Sequence, residues 1–168
     1  KKSTSNQKRK NFVKQTVNHT FIEKEIQQVH SIVGRTTYGF NDPRRHKLKV
    51  LSTLLGDGSS SRLFQAVREK LGMTYQINTF LNSYLDVSAF GVYYSTNDKQ
   101  SGKVNEIVHR EFNKLRSTEV KAKELKRVKE YIKGNTLMSL ESTTNRMIRL
   151  TNSLLHYGKI VPIEDVLV

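Results

Sequence analysis

Two strand-like segments separated by only two residues constrain this chain most. TYQINTFLNSY (74–84) and VSAFGVYYST (87–96) each alternate in character and flank Leu85-Asp86. So short a link joins antiparallel neighbours, so the pair reads as a β-hairpin. A third candidate strand lies upstream, in the β-branched run EIQQVHSIVGRTTYGF (25–40). Val29, Ser31, Val33 and Arg35 would share one of its faces, with Gln28, His30, Ile32 and Gly34 on the other.

Helical periodicity fills the rest. Asn41-Asp42-Pro43 ends the first strand and starts a helix, with Pro43 near its first turn. Leu48, Leu51, Leu54 and Leu55 repeat at helical spacing up to a stop at Gly56. A second helix, capped by Ser59 or Ser60, carries Leu63, Phe64, Val67 and Leu71 and ends at Gly72. After the hairpin come three more helices. The first is marked by Val104, Ile107, Val108, Phe112 and Leu115. Leu125, Val128, Ile132, Leu137 and Leu140 mark the second, with Gly134 a weak point. The third has Met147, Leu150, Leu154 and Leu155, with Ser142 or Thr143 as its cap. YGKIVPIEDVLV then gives a turn and another short helix. The β-α-α-β-β-α-α-α order breaks strict alternation, which argues against a doubly wound parallel sheet. It predicts an α+β fold: a two-layer domain with a largely antiparallel sheet and helices on one face.

Length and composition set the limits. The chain's 168 residues suit one domain with a real core. Residues 1–24 read as a basic lead-in or inter-domain linker, and 25–168 as the folded domain. With no cysteine there are no disulfides, thiolate metal ligands or Cys nucleophiles. No apolar run reaches the length of a membrane span, so no membrane partner is expected. Absence of cysteine and of a leading signal segment favours a cytoplasmic setting. The first residue is Lys, which fits a piece of a longer protein. Net charge is +14, from 29 Lys and Arg against 15 Asp and Glu. Seven basic residues and one acid fall in residues 1–24, and six and three in residues 119–133. This pattern reads first as a solvated tail and helix face.

The chain carries little self-contained chemistry. His19, His30, His46, His109 and His156 form no His-x-x-x-His or His-x-x-Glu-His pair. His109-Arg110-Glu111 matches His-x-Glu, but a deaminase site also needs cysteines. His30 reads as a packed, hydrogen-bonded histidine. Ser59, Ser60 and Ser61 lack a Gly-x-Ser-x-Gly elbow and read as helix caps. Gly56-Asp57-Gly58 before a helix could bind phosphate, but no Gly-Lys-Ser/Thr follows and Asp57 opposes an anion. Arg68 near a helix end and Tyr75 at the next strand remain. A turn at Gly72 could bring both to one sheet edge, where they would offer donors to a carbonyl or a developing oxyanion. Spacing alone does not separate this from an Arg placed favourably at a helix C-terminus.

Several ordered motifs carry a resemblance. LLGDGSSSRLFQAVREKLGMTYQI (54–77) closely resembles the second, non-zinc domain of insulinase/pitrilysin-type metallopeptidases. That superfamily includes mitochondrial processing peptidases and bacterial two-domain zinc proteases. EIQQVHSIVG, HKLKVLSTLLG, MSLESTTNRMIRLTNSLLHYG and PIEDV resemble further segments of that domain, in order, from Glu25 to the end. The resemblance implies a clamshell of two homologous domains. The first carries zinc on His-x-x-Glu-His with the motif Glu as general base, and the second supplies an Arg/Tyr pair to the substrate. By motif match that pair is Arg68 and Tyr75.

Departures from the family pattern shape the expectation. No His-x-x-Glu-His occurs, so zinc is expected in a missing first domain and no proteolysis from this chain alone. The C-terminus looks shortened relative to the family domain. The implied partners are the homologous zinc-binding domain, on the same or a separate chain, and a peptide substrate. A catalytically silent subunit or scaffold is the alternative inside the family. A basic nucleic-acid-binding module is the alternative outside it, and needs a clustered basic face with stacking aromatics.

Overall fold

A computed structural model describes residues 12, 13, 16, 18–22, 25 and 27–166. Most of the proposed lead-in, 1–24, lies outside the described residues. The described residues fall into two compact units, one within 1–117 and one within 118–168.

The first unit is built on an antiparallel sheet of β1 (Val29–Tyr38), β2 (Gln76–Ser83) and β3 (Val87–Thr96), in the order β1-β3-β2. The β2–β3 hairpin closes around Leu85-Asp86 as expected, with the Tyr84 N–H donating to the Val87 carbonyl at 2.8 Å. In β3, Phe90, Val92 and Tyr94 point inward and are buried, whereas Tyr93 on the opposite face is half-buried. Val33 of β1 and Ile77 and Leu81 of β2 lie on the inward face. Arg35, placed on that face by alternation, is exposed. It pairs with Phe90 towards the far end of the edge strand, and its charge favours solvent there.

Two α-helices and a π-helix pack on the sheet: α1 (Arg45–Gly56), the π-helix Phe64–Glu69, and α2 (Asp98–Ser117). Leu55, Leu63, Val67, Val104, Ile107 and Val108 complete the core. The α+β expectation holds: helices cover one face of an antiparallel sheet. α1 starts two residues after Pro43, because the Asp42 carboxylate first accepts the Arg44 N–H at 2.8 Å and forms a turn. Hydrogen bonds from Arg44 hold the Asp42 carboxyl down at about 2. Gly56 ends α1 against β2, where a Cβ would stand 2.7 Å from the Thr79 nitrogen. α2 is capped by Asn97, whose Oδ1 accepts the Gln100 N–H at 2.9 Å. Within α2 the buried Glu111 carboxylate accepts from Lys114 at 2.7 Å.

The end of β1 is the tightest backbone contact described. Phe40 N–H donates to the Tyr84 carbonyl at 2.7 Å and Asn41 N–H to the Leu85 carbonyl at 3.3 Å. The chain leaving β1 therefore lies directly across the hairpin turn. Gly39 makes this possible, because a Cβ there would be 2.3 Å from the Asp86 carbonyl carbon.

The second unit holds α3 (Ala122–Ser139), α4 (Thr143–Tyr157) and α5 (Ile163–Val166). Ser142 caps α4, accepting the Asn145 N–H at 3.4 Å, and Gly158 closes it in the left-handed conformation. Ser153 is buried and clasps the following turn, donating to the Lys159 carbonyl and accepting from the Val161 N–H, both at 2.8 Å. The apolar positions at helical spacing are not all core. Val128 is buried, but Leu137, Met147, Leu150, Leu154 and Leu155 are exposed. Periodicity identifies a helix face; it does not supply the surface that covers it. No helix among the described residues is long and apolar enough to cross a membrane.

Candidate functional site

The stretch from Gly56 to Tyr75 is a corner, a π-helix and a reversal. At the corner Gly58 has φ +86°. The Ser61 hydroxyl, buried, donates to the Gly58 carbonyl at 2.7 Å. Asp57 faces Lys49 at 3.6 Å. The helical winding begins after Ser61, whose hydroxyl helps to fix the corner.

Hydrophobic spacing predicts an α-helix next, with Leu63, Phe64, Val67 and Leu71 inward. The segment is instead π-wound from Phe64 to Glu69, with the Lys70 N–H reaching back five residues to the Gln65 carbonyl at 3.2 Å. Leu63 and Val67 stay fully buried, but the extra residue rotates the positions beyond it, and Leu71 is 45% exposed. The reversal carries the same excess. Gly72, at φ +59°, bonds to the Arg68 carbonyl, and the Met73 N–H donates to the Val67 carbonyl at 3.1 Å. This is a Schellman-type closure widened by one residue.

Arg68 and Tyr75 stand on either side of this reversal. Arg68 is exposed, and its guanidinium lies 5.0 Å from the centroid of the Phe64 ring. Tyr75 is 72% exposed, with its backbone N–H held by the Ser95 carbonyl at 3.3 Å. Thr96 fixes the approach, its buried hydroxyl donating to the Met73 carbonyl. No hydrogen bond joins the two side chains. Among the described residues neither the guanidinium nor the phenol has a hydrogen-bond or ion-pair partner. The arrangement therefore presents two uncommitted donors on a firmly pinned backbone. Each can donate to an acceptor oxygen brought from outside.

Thr74, between the reversal and Tyr75, has a buried hydroxyl without a hydrogen-bond partner among the described residues. Thr74→Val replaces that hydroxyl by a methyl of similar shape. It is expected to stabilise the chain by about 1 kcal/mol, because a buried unpaired donor is removed. Thermal melting should rise by roughly 2–4 °C. A fall would show that the hydroxyl has a partner after all.

Other candidates resolve differently. His30 is hydrogen-bonded, its Nδ1 2.8 Å from the Tyr93 hydroxyl, but it is exposed on the outer sheet face rather than packed. Among the described residues no group of three or more His, Asp or Glu could hold a metal ion. A surface cleft of about 860 Å³ lies at the end of β1, lined by Tyr38, Asp42, Pro43 and Asp86 among others. Neither Arg68 nor Tyr75 lines it. Sequence reasoning missed two features: the π-winding and the Phe64 ring beneath Arg68. The i, i+4 spacing of Phe64 and Arg68 was a signal for the second.

Comparison with known proteins gives the setting. Residues 1–132 match the family described as the peptidase M16 inactive domain. An uncharacterized zinc protease of Streptomyces coelicolor is 34% identical over 146 residues, 87% of this chain and 32% of that protein. One from Bacillus subtilis is 32% identical over 145 residues, 86% of this chain and 36% of that protein. The chain thus spans about a third of the length of these curated relatives. A protease from Helicobacter pylori shares the fold, with TM-score 0.72 and 22% identity, over 78% of this chain and 32% of that one. So does a peptidase M16 inactive domain from Pseudomonas fluorescens, with TM-score 0.71 and 18% identity, over 83% of this chain and 33% of that one. With the family matched over most of its length and its fold shared by solved members, this chain belongs to the peptidase M16 inactive-domain family.

Proposed function

We propose that this chain is the non-zinc-binding half of an insulinase-like zinc endopeptidase. It closes the cleft against a homologous zinc-bearing domain and contacts the peptide there. The observation that carries this reading is the pair of exposed, unpartnered donors, Arg68 and Tyr75, in a chain whose family is defined by the inactive domain. In this reading zinc is held by the homologous domain bearing His-x-x-Glu-His, where it would activate water.

The task of this chain's residues is positional and electrostatic. The Arg68 guanidinium and the Tyr75 phenol donate to the carbonyl oxygen of the bond to be cut. As water adds to the carbonyl carbon, that oxygen gains negative charge, and both hydrogen bonds strengthen. Donors held in place before the reaction stabilise the transition state more than the ground state, which raises kcat. The excess of basic residues would also draw acidic peptides or an acidic first domain.

Reconstitution tests the reading. The chain alone should leave a fluorogenic peptide uncut. Mixed with a homologous domain bearing His-x-x-Glu-His, it should give cleavage that a zinc chelator abolishes. Cleavage by the zinc domain at the same rate without this chain would instead indicate a silent scaffold.

A further inference from the structure

We infer that Phe64 is a positioning residue for Arg68, a ring shelf that fixes where the guanidinium can reach. The inference rests on the functional reading above and names a residue beyond the Arg/Tyr pair. An exposed arginine without an ion pair would ordinarily sample many rotamers, and its donors would be aimed only part of the time. Here the Arg68 guanidinium carbon lies 5.0 Å from the Phe64 ring centroid, inside the range of cation–π attraction. Phe64 is half-buried, and both its neighbour Leu63 and Val67 are fully buried, so the shelf is anchored in the core. The ring and the guanidinium sit at the two ends of one i, i+4 step inside the π-helix. One side of the guanidinium is therefore taken up by an apolar surface that accepts no hydrogen bond. Its N–H groups remain free for an incoming carbonyl.

The test uses the reconstituted protease and the isotope-labelled chain together. Phe64→Leu removes the ring while keeping an apolar side chain, Phe64→Met serves the same purpose should the first fail to fold, and Phe64→Tyr keeps the ring. Melting curves establish that each variant is folded. The leucine variant is expected to lower kcat by about 2- to 5-fold with KM unchanged, and the tyrosine variant to restore it. In an Arg68→Ala background Phe64→Leu should have no further effect on kcat. The Arg68 Nε–H resonance should lose its ring-current shift in Phe64→Leu and keep it in Phe64→Tyr. The proposal is overturned if the resonance is unmoved by Phe64→Leu, or if the same loss of kcat persists without Arg68. An Arg68→Ala variant with unchanged kcat would overturn the functional reading instead, and the resonance would still decide whether Phe64 holds the guanidinium.

Discussion

Arg68→Ala is expected to lower kcat of the reconstituted protease by about 10²–10³-fold, the effect of deleting one preorganised oxyanion donor. KM should change little, because the bond to the oxygen strengthens only as charge develops. Stability should scarcely move. Arg68 is exposed and supports no core contact beyond the Phe64 ring, so a change within about 0.5 kcal/mol is anticipated. Tyr75→Phe removes a neutral donor from a 72% exposed side chain. Its effect should be smaller, about 3- to 10-fold, in line with one uncharged hydrogen bond. The order of the two effects is part of the prediction. Unchanged kcat/KM in both variants would remove the assigned role, and a large loss of melting temperature in either would make its role structural.

Gly39→Ala should be the most damaging small substitution in the first unit. The added methyl would stand 2.3 Å from the Asp86 carbonyl carbon, 2.5 Å from the Val87 nitrogen and 2.6 Å from the Leu85 oxygen. All three are backbone atoms of the hairpin turn, so no side chain can rotate away. Relief requires the chain leaving β1 to lift from the turn, which breaks the Phe40 and Asn41 hydrogen bonds. A loss of about 3 kcal/mol is expected, at the upper end for overpacking. That corresponds to a melting temperature roughly 6–12 °C lower. A variant that melts with the parent would show that the contact is not tight in solution.

Much of the fold was legible because it depends on local rules. Alternation marked β3 from Val87 to Thr96 without error, and a two-residue link left the hairpin no other geometry. Ser142 or Thr143 announced α4, since a hydroxyl before a periodic run satisfies a free N–H, and Ser142 is the one that caps it. The π-helix was not legible. Leu63, Phe64, Val67 and Leu71 fit an α-helix, and hydrophobic spacing cannot register one extra residue in the winding. The exposure of Leu154 and Leu155 was equally hidden, because covering a helix face is a tertiary matter. For the site, position alone made Arg68 and Tyr75 candidates, and the family resemblance singled them out. Their lack of partners depends on side-chain placement that spacing does not encode, whereas the ring under Arg68 was signalled by the i, i+4 step from Phe64.

The extra residue in the π-helix bears on how relatives should be aligned. A residue deleted inside the π-wound stretch, with the rest rewinding as an α-helix, leaves the positions on either side facing much as they do, because one fewer residue, each turning further, covers nearly the same rotation. A relative one residue shorter between Ser61 and Gly72 should therefore be aligned with its gap inside the π-wound residues, not at the glycine that follows.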